Sequence, residues 1–337
     1  MNASDRFYSP AEAAARLGIS GKALRLYEQH GLLAPVRSAA GWRSYGPEQM
    51  ARAGEIAALR GLGLSLKQVG CVRAGEGAAL EPALAAHQTL LEREAQRLAA
   101  CLTQVRGLRS ALLAGQAPEL EALAGVLPAR GTVQVAFELP WPWGGERFEL
   151  RDIRPLTYLV GPLGSGKTQL ARRLAAAISG AVFIGLERTS AALDTADDAQ
   201  RQRVEAALEW LEGEGATPSD ALVALLVAME CAATAVVVDL VEQGLDQATQ
   251  EALGAWLRRR ATVERPLFVM TRSSTLLDMT GLSDDEAVLF CPANHSPPVL
   301  VPGVPGAPGY EAVTSCLATP EVRARTEGVV VMRQDRA

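Results

Sequence analysis

Cysteine and histidine are scarce in this sequence, and the few that occur are dispersed. The 337 residues include five cysteines and three histidines. No two cysteines form a CxxC pair, so neither a disulfide framework nor a zinc site of the usual spacing is expected. We expect the cysteines to be reduced thiols, as in a cytoplasmic protein. They are Cys71, Cys101, Cys231, Cys291 and Cys316.

Long apolar runs are also missing. No stretch of about 18 uncharged apolar residues occurs, which argues against a membrane-spanning helix. The first ten residues, MNASDRFYSP, lack the basic and then apolar pattern of a secretory signal. With 48% hydrophobic and 21% charged residues, the composition predicts a cytoplasmic protein of two or three folded domains.

The charge is distributed unevenly along the chain. Residues 1–75 contain ten Lys or Arg against five Asp or Glu, a net charge of +5. The whole chain carries −5, so the remainder carries −10. A basic N-terminal segment on an acidic body is typical of a nucleic-acid-binding module.

Two short helices and a hairpin are predicted in this basic segment. Residues 9–12, Ser-Pro-Ala-Glu, begin the first helix with a capping serine and a proline at its first position. Gly18 ends it. Ser20 caps a second helix, which the tight turn between them would present to a DNA major groove. The following residues 41–45, GWRSY, predict a β-hairpin wing suited to a phosphate backbone.

Residues 7–70 resemble the winged helix-turn-helix of MerR-type transcription regulators. The resemblance lies in YSPAEAAARLGIS, LRLYEQHGLL, GWRSYG and LRGLGLSLKQVG, in that order. It implies that Lys22, Arg25 and Tyr27 of the second helix and Arg43 of the wing face DNA. It also implies that Trp42 and Tyr45 support the wing. The alternative is a winged helix that contacts another protein.

An apolar residue recurs at every seventh position after the basic segment. The repeat comprises Leu84, Leu91, Leu98, Val105 and Leu112. A seven-residue repeat predicts a coiled-coil helix, here over residues 80–117. In MerR-like proteins this position holds an antiparallel dimerisation helix, so the resemblance implies a homodimer. The alternative is an amphipathic helix packed against its own chain.

A phosphate-binding loop is predicted in the second half. Residues 161–168, GPLGSGKT, follow the apolar strand LTYLV and precede the helical stretch QLARRLAAAI. This is the GxxxxGK[ST] pattern in its strand–loop–helix context. Backbone N–H groups at Gly161, Gly164, Ser165 and Gly166 would surround the phosphates. Lys167 would reach the β- and γ-phosphates of ATP, and the Thr168 hydroxyl would ligate Mg²⁺.

The residues that complete a nucleotide site are present only in part. Residues 235–239, AVVVD, predict a buried strand whose Asp239 holds the Mg²⁺ through water. The run Leu240–Asp246 and an antiparallel hairpin before the loop resemble ABC-type ATPases. In that family a catalytic Glu stands where this chain has Leu240, and a switch His where it has Arg272. Arg272 could hold a γ-phosphate, and Glu242 is the remaining candidate base.

Together these patterns predict an α/β protein with three parts. They are a winged helix-turn-helix over 1–75, a coiled-coil helix over 80–117, and an ABC-like P-loop domain with an antiparallel β-subdomain over 130–337. The tail after Phe290 is rich in Pro and Gly and shows little periodicity before about Pro320, so its structure is not predicted. His295 in this tail is either a ligand contact or, more simply, a structural histidine.

Two functions fit these predictions. The first is a homodimeric regulator that binds a promoter palindrome and distorts it for RNA polymerase, with ATP or ADP as modulators. Because the catalytic Glu and switch His are replaced, we expect at most slow ATP hydrolysis. The second is an ATP-hydrolysing machine that acts on DNA and uses the winged helix for targeting.

Overall fold

The computed structural model describes residues 6–37, 41–114 and 135–322. The chain divides into two compact units, Met1–Pro128 and Ala129–Ala337. Three predicted pieces lie outside the described residues. They are the end of the coiled coil at 115–117, the start of the first hairpin strand at 132–134, and the last residues, 323–337.

The first unit is mainly helical, with a small antiparallel hairpin. Val36 lies opposite Ser44 and Arg37 opposite Arg43, so the predicted wing hairpin is confirmed. The unit's elements are α1 (Pro10–Leu17), α2 (Gly21–Gln29), β1 (Val36–Arg37), β2 (Arg43–Ser44), α3 (Pro47–Gly61), α4 (Leu66–Arg73) and α5 (Leu80–Leu113).

The helix boundaries at the start of this unit follow from capping. The Ser9 hydroxyl accepts the backbone N–H of Glu12, while the Glu12 carboxylate accepts the N–H of Ser9 at 2.9 Å. This reciprocal pair satisfies two donors that the first turn leaves open. Gly18 ends α1 with a left-handed φ of 65°. Ser20 caps α2 by accepting the N–H of Ala23 at 3.1 Å. The predicted start and end of α1 and the predicted start of α2 are confirmed.

Helix α5 is 34 residues long and carries the heptad repeat on its surface. Four leucines of the repeat are between 47% and 56% exposed in the single chain: Leu84, Leu91, Leu98 and Leu112. An apolar row this exposed is available for packing against another surface. Among the helices in the described parts of the chain, none combines the length and apolar character that a bilayer span requires.

The second unit is an α/β fold built on a six-stranded sheet within the described residues. Its strands before the sheet form an antiparallel hairpin, with Val135 opposite Leu150. The elements are β3 (Val135–Glu138), β4 (Arg147–Leu150), β5 (Leu156–Val160), α6 (Lys167–Ala177), β6 (Ala181–Ile184), α7 (Asp198–Gly213), α8 (Asp220–Met229), β7 (Ala235–Val238), α9 (Gln247–Arg260), β8 (Leu267–Met270), β9 (Glu286–Phe290), β10 (Val299–Leu300) and α10 (Tyr310–Ser315).

The sheet is buried on both faces. Along β5, Tyr158 points into one core, shared with α7, α8 and α9, while Leu159 points into the other, shared with α6 and the β3–β4 hairpin. Strands covered on both faces read as continuous apolar runs. This explains why LTYLV and AVVV show no alternation of apolar and polar residues.

The strand order places three chain segments at one edge. The order is β10-β9-β5-β8-β7-β6, and all pairs are parallel except β10 with β9. The carboxyl ends of β5, β8 and β7 therefore lie side by side, although they are far apart in sequence. Ligands of open α/β sheets bind at this edge.

The tail after β9 has regular structure. It contains strand β10 and the short helix α10, although the sequence shows little periodicity there. Apolar side chains in and next to these elements anchor them. Val301, Tyr310 and Val313 belong to the core that contains Tyr158. These short elements are hard to predict from sequence, because proline and glycine recur every few residues and leave no long periodic pattern.

A buried carboxylate ties β9 to its neighbours. The Glu286 side chain is 2% exposed and accepts the Tyr158 hydroxyl and the Arg258 Nε–H, each at 2.9 Å. It also accepts the backbone N–H of Ser283 at 3.0 Å. A buried charge is tolerated here because all of these donors converge on it.

Glu286→Ala should therefore lower the free energy of unfolding of the second unit. Breaking a buried ion pair costs roughly 3–5 kcal/mol, and we expect the lower end because Arg258 is 39% exposed. Urea unfolding followed by Trp fluorescence reports this unit, since four of the five tryptophans lie in it. The exposed Glu205→Ala on α7 is the control, expected within about 0.5 kcal/mol of the wild type. Equal losses in both variants would contradict this role for Glu286.

Candidate nucleic-acid and nucleotide sites

Helix α2 presents a basic face to solvent and an apolar face to the core. Arg25 is exposed and Lys22 half-buried, whereas Leu24 and Tyr27 are 1% and 3% exposed. Tyr27 follows Leu24 by three positions, so both side chains lie on the same buried side of the helix. The Tyr27 ring thus belongs to the core of the first unit, not to the exposed face of α2, and a DNA contact by Tyr27 stays a prediction.

The wing is attached to α2 through Glu28. The Glu28 carboxylate accepts a hydrogen bond from Arg43 Nη1 at 3.0 Å and another from the Tyr45 hydroxyl. Tyr45 is fully buried, and burial together with the Glu28 bond raises the pKa of its phenol. Arg43 is thus held between the wing and the helix with a quarter of its side chain exposed.

Two residues of this arrangement differ from the sequence interpretation. Trp42, expected to support the wing, is 77% exposed, so its ring lies at the surface rather than in the core. Glu28 has no role in the sequence interpretation, although it stands in the LRLYEQHGLL motif. The sequence alone carries no signal for this role, because the burial of Tyr27 and Tyr45 around Glu28 is visible only in the structure.

The predicted phosphate loop lies directly between β5 and α6. Gly166 has a left-handed φ of 88°, and a Cβ there would lie 2.6 Å from the Trp143 ring. A Cβ on Gly161 would lie 2.3 Å from the Cys291 carbonyl oxygen at the end of β9. Only glycine satisfies both constraints. The loop therefore has the closely approached backbone that a phosphate cradle requires.

Lys167 lies inside this loop. Its Nζ donates to the carbonyls of Gly161 at 2.8 Å and Pro162 at 2.7 Å, and to the Ser165 hydroxyl at 3.4 Å. Lys167 is 8% exposed and has no ion-pair partner among the described residues. Burial lowers the pKa of Lys167, and the charge of Arg272 lowers it further. A buried ammonium whose partners are neutral oxygens fits a phosphate group.

Two side chains suited to Mg²⁺ meet at the edge of the sheet. The Thr168 hydroxyl donates to the Asp239 carboxylate at 3.1 Å, although the residues are 71 positions apart. Asp239 is 4% exposed. A hydroxyl and a carboxylate oxygen are ligands that Mg²⁺ accepts beside a nucleotide. These residues fit a Mg²⁺–nucleotide complex, which would supply phosphate charge and a divalent cation to them.

The segment after Asp239 does not place a carboxylate directly next to that residue, as ABC-type ATPases do. Leu240 has a left-handed φ of 38° and an apolar side chain that cannot orient water. Glu242 is 2% exposed, and its carboxylate accepts the backbone N–H of Arg272 at 2.9 Å. That bond ties the turn after β7 to the end of β8, where Arg272 is half-buried. Glu242 and Arg272 are thus brought together by a hydrogen bond between the Glu242 side chain and the Arg272 backbone.

The tail covers one side of the phosphate loop. His295 Nε2 lies 3.1 Å from the Gly164 carbonyl oxygen, and the Trp143 indole donates to the Ser296 carbonyl at 3.1 Å. His295 therefore contacts the loop itself, which the sequence leaves open. Cys291 lies beneath the same loop, where burial raises the pKa of its thiol to about 12.

Clustered metal ligands are a separate question. In residues 6–37, 41–114 and 135–322, no group of three or more His, Cys, Asp or Glu side chains could hold a metal ion.

Comparisons with known proteins bear on the first unit. The family model of the MerR HTH family regulatory proteins matches residues 8–73. A Haemophilus influenzae protein named "Probable heavy metal-dependent transcriptional regulator" is 43% identical over 60 residues, which is 18% of this chain and 47% of that protein. The chain thus spans about half the length of this curated relative. Residues 8–73 form a MerR-family helix-turn-helix domain.

Two solved structures resemble parts of the chain. One is a MerR family regulator lacking the sensor domain, bound to promoter DNA, with 21% identity and a TM-score of 0.29. The match covers 36% of this chain and 96% of that one. The other is an inward-facing ABC transporter of metal-chelate type, with 14% identity and a TM-score of 0.34, covering 47% and 78%. Both TM-scores are too low to establish a shared fold.

The loop glycines give a test of the cradle. Gly164 has a φ of 79° and open space where a Cβ would lie, whereas a Cβ on Gly166 would also contact Trp143. Gly164→Ala should lower the free energy of unfolding by roughly 1–2 kcal/mol, because alanine is strained at a left-handed φ. Gly166→Ala should lower the free energy of unfolding by more than Gly164→Ala does. In the double variant Gly166→Ala/Trp143→Ala, part of this additional loss should disappear, because the clash with the Trp143 ring is removed. Urea unfolding measures all three. Equal costs at both glycines would contradict the close packing of Trp143.

Proposed function

We propose that this chain is a homodimeric, MerR-type transcriptional regulator whose binding to promoter DNA is modulated by ATP or ADP. The nucleotide, with Mg²⁺, would bind in the second unit, which we propose to be ABC-like. One observation carries the proposal: a chain with a MerR-family domain at residues 8–73 also brings Thr168 and Asp239 together at 3.1 Å beside a glycine cradle.

The DNA-binding half rests on the surface of α2 and the wing. Arg25 and Lys22 lie on the side of α2 opposite its buried Leu24. Arg43 is held by Glu28, which follows Arg25 by three positions on α2, so its position is set before DNA binds. Phosphate contacts of this kind orient a recognition helix. We propose a palindromic promoter as the target, with RNA polymerase as the second partner.

Dimerisation through α5 supports this target. The heptad leucines of α5 are about half exposed in the single chain. Pairing two copies along that row would bury them as a coiled-coil seam. A two-fold symmetric dimer matches a palindrome, because each head can then read one half-site.

The nucleotide half supports binding more than hydrolysis. The buried Lys167 ammonium and the Thr168–Asp239 pair support binding of phosphate and Mg²⁺. The residue after Asp239 is apolar, and the nearest buried carboxylate, Glu242, is bonded to the backbone of Arg272. A site that retains a nucleotide without rapid turnover suits a switch.

Such a switch requires different nucleotide affinities in two conformations, because equal binding to both shifts neither. The two units are joined in one chain, so any conformation preferred by the nucleotide-bound second unit would change the placement of the DNA-binding heads in a dimer. The sign of the regulation follows from which arrangement fits the half-sites.

Arg25→Ala tests the DNA-binding half. The variant should bind the region upstream of this protein's own gene more weakly, by roughly 1–3 kcal/mol, because a recognition-helix contact is removed. Arg109→Ala, which removes the same charge from an exposed position of α5, should bind as the wild type does. Fluorescence anisotropy at several salt concentrations measures both. Equal binding by the two variants would remove Arg25 from the interface.

Lys167→Met tests the nucleotide half. The substitution keeps the aliphatic stem and removes the ammonium, so ATP binding should fall below detection in isothermal titration calorimetry. Arg173→Ala, an exposed cation six residues further along α6, should retain wild-type affinity. Far-ultraviolet circular dichroism checks that both variants are folded. Undiminished ATP binding by Lys167→Met would exclude the phosphate loop as the site.

A further inference from the structure

A cavity of about 790 Å³ opens beside the Thr168–Asp239 pair, at the end of β6. Its walls include apolar side chains of β6 and α8, such as Phe183 and Ala224, and two cations, Arg172 and Arg188. The volume is in the range of small-molecule sites, roughly 300–1,000 Å³. Neither cation belongs to the GxxxxGK[ST] motif or to the segment after Asp239.

Arg188 is the unusual member of this wall. Its Nη2 donates to the Leu240 carbonyl at 2.9 Å and to the Gln243 side chain at 3.4 Å. Its Nη1 is buried and has no hydrogen-bond partner among the described residues. Burial lowers the pKa of Arg188, while the negative charges of Asp239 and Glu242 raise it. A guanidinium stays charged in proteins, so leaving this buried donor without a hydrogen bond destabilises the fold.

The position of this donor indicates what could satisfy it. Thr168, Asp239 and Arg188 line the same cavity. Thr168 follows the lysine that would hold the β- and γ-phosphates, so the terminal phosphate is the anion nearest to this wall. A planar guanidinium suits phosphate oxygens, because it offers two parallel donors.

We propose that Arg188 is the residue by which the nucleotide site distinguishes a triphosphate from a diphosphate. This proposal rests on the nucleotide binding proposed above and specifies its regulation. The terminal phosphate accepts a hydrogen bond from the unpaired Nη1 of Arg188, whereas ADP leaves that donor unpaired. Discrimination between ATP and ADP therefore depends on a loop that carries no recognised motif.

The same contact links the phosphate to the turn after β7. Arg188 holds the carbonyl of Leu240, a non-glycine residue with a left-handed φ of 38°. Such a conformation is retained only while its surroundings hold it. A phosphate that draws the guanidinium away from this carbonyl loosens the turn over residues 240–246, which ends at the start of α9. ATP, but not ADP, should therefore increase amide exchange in this turn.

The experiment is calorimetric titration of the full chain with Mg²⁺ and either ADP or the non-hydrolysable triphosphate AMP-PNP. The wild type should bind AMP-PNP more tightly than ADP. Arg188→Ala should weaken AMP-PNP binding about tenfold or more, as expected for a hydrogen bond to a charged group, and change ADP binding less than threefold. Arg188→Lys keeps the positive charge but lacks the planar guanidinium, so its affinity for AMP-PNP should lie between those of the wild type and Arg188→Ala. Arg173→Ala is the control and should match the wild type.

Each outcome decides a separate question. If the wild type binds neither nucleotide, the proposed nucleotide function fails, and the role of Arg188 fails with it. If both bind but Arg188→Ala leaves the ratio of the two affinities unchanged, only the role of Arg188 is overturned. Retained ADP binding shows that the variant's site is folded. Hydrogen exchange over residues 240–246 is the second readout, and equal protection with AMP-PNP and ADP would contradict the link to the turn.

Discussion

The hydrogen bond between Thr168 and Asp239 depends on the arrangement of the whole sheet in the second unit. It requires β5 and β7 to end at the same level, with only β8 between them. That alignment depends on a sheet buried on both faces, because apolar packing fixes the register of each parallel strand. The turn after Asp239, the end of β8 and the tail after β9 are then brought against the same loop.

A similar constraint organises the first unit around Glu28. One carboxylate accepts hydrogen bonds from the wing's Arg43 and from the buried Tyr45 hydroxyl, so the wing is bonded directly to α2. The basic side chains that would meet DNA are therefore positioned relative to one another before binding. Positioning of this kind reduces the conformational entropy lost on association.

Much of this arrangement can be predicted from sequence where several local signals agree. Ser9, Pro10 and Gly18 define α1 because capping, fixed φ and left-handed φ each leave a residue signature. The phosphate loop is predictable for the same reason, since strand, glycines, lysine and helix follow one another directly. The burial of the Tyr27 ring is not predictable in this way, because a tyrosine on an amphipathic helix suits a core as well as a surface and the neighbouring helices determine which it joins.

Other features depend on distant parts of the chain. Arg188 lies in a loop without a motif, and its importance arises only because β6 lies beside β7 in the sheet. His295 contacts Gly164 across 131 positions, through a tail whose prolines and glycines conceal its short elements. Sequence spacing carries no information on such pairs, since strand order is set by the packing of the whole sheet.

The central claim is that the nucleotide and DNA sites of one chain are coupled. Coupling is reciprocal, so DNA must change nucleotide affinity by the factor by which the nucleotide changes DNA affinity. The most direct test is calorimetric titration of AMP-PNP and Mg²⁺ into the full chain, alone and saturated with its upstream DNA. We predict that the DNA changes the affinity by about fivefold or more, as is typical of allosteric coupling. Identical nucleotide affinity with and without bound DNA would contradict the account.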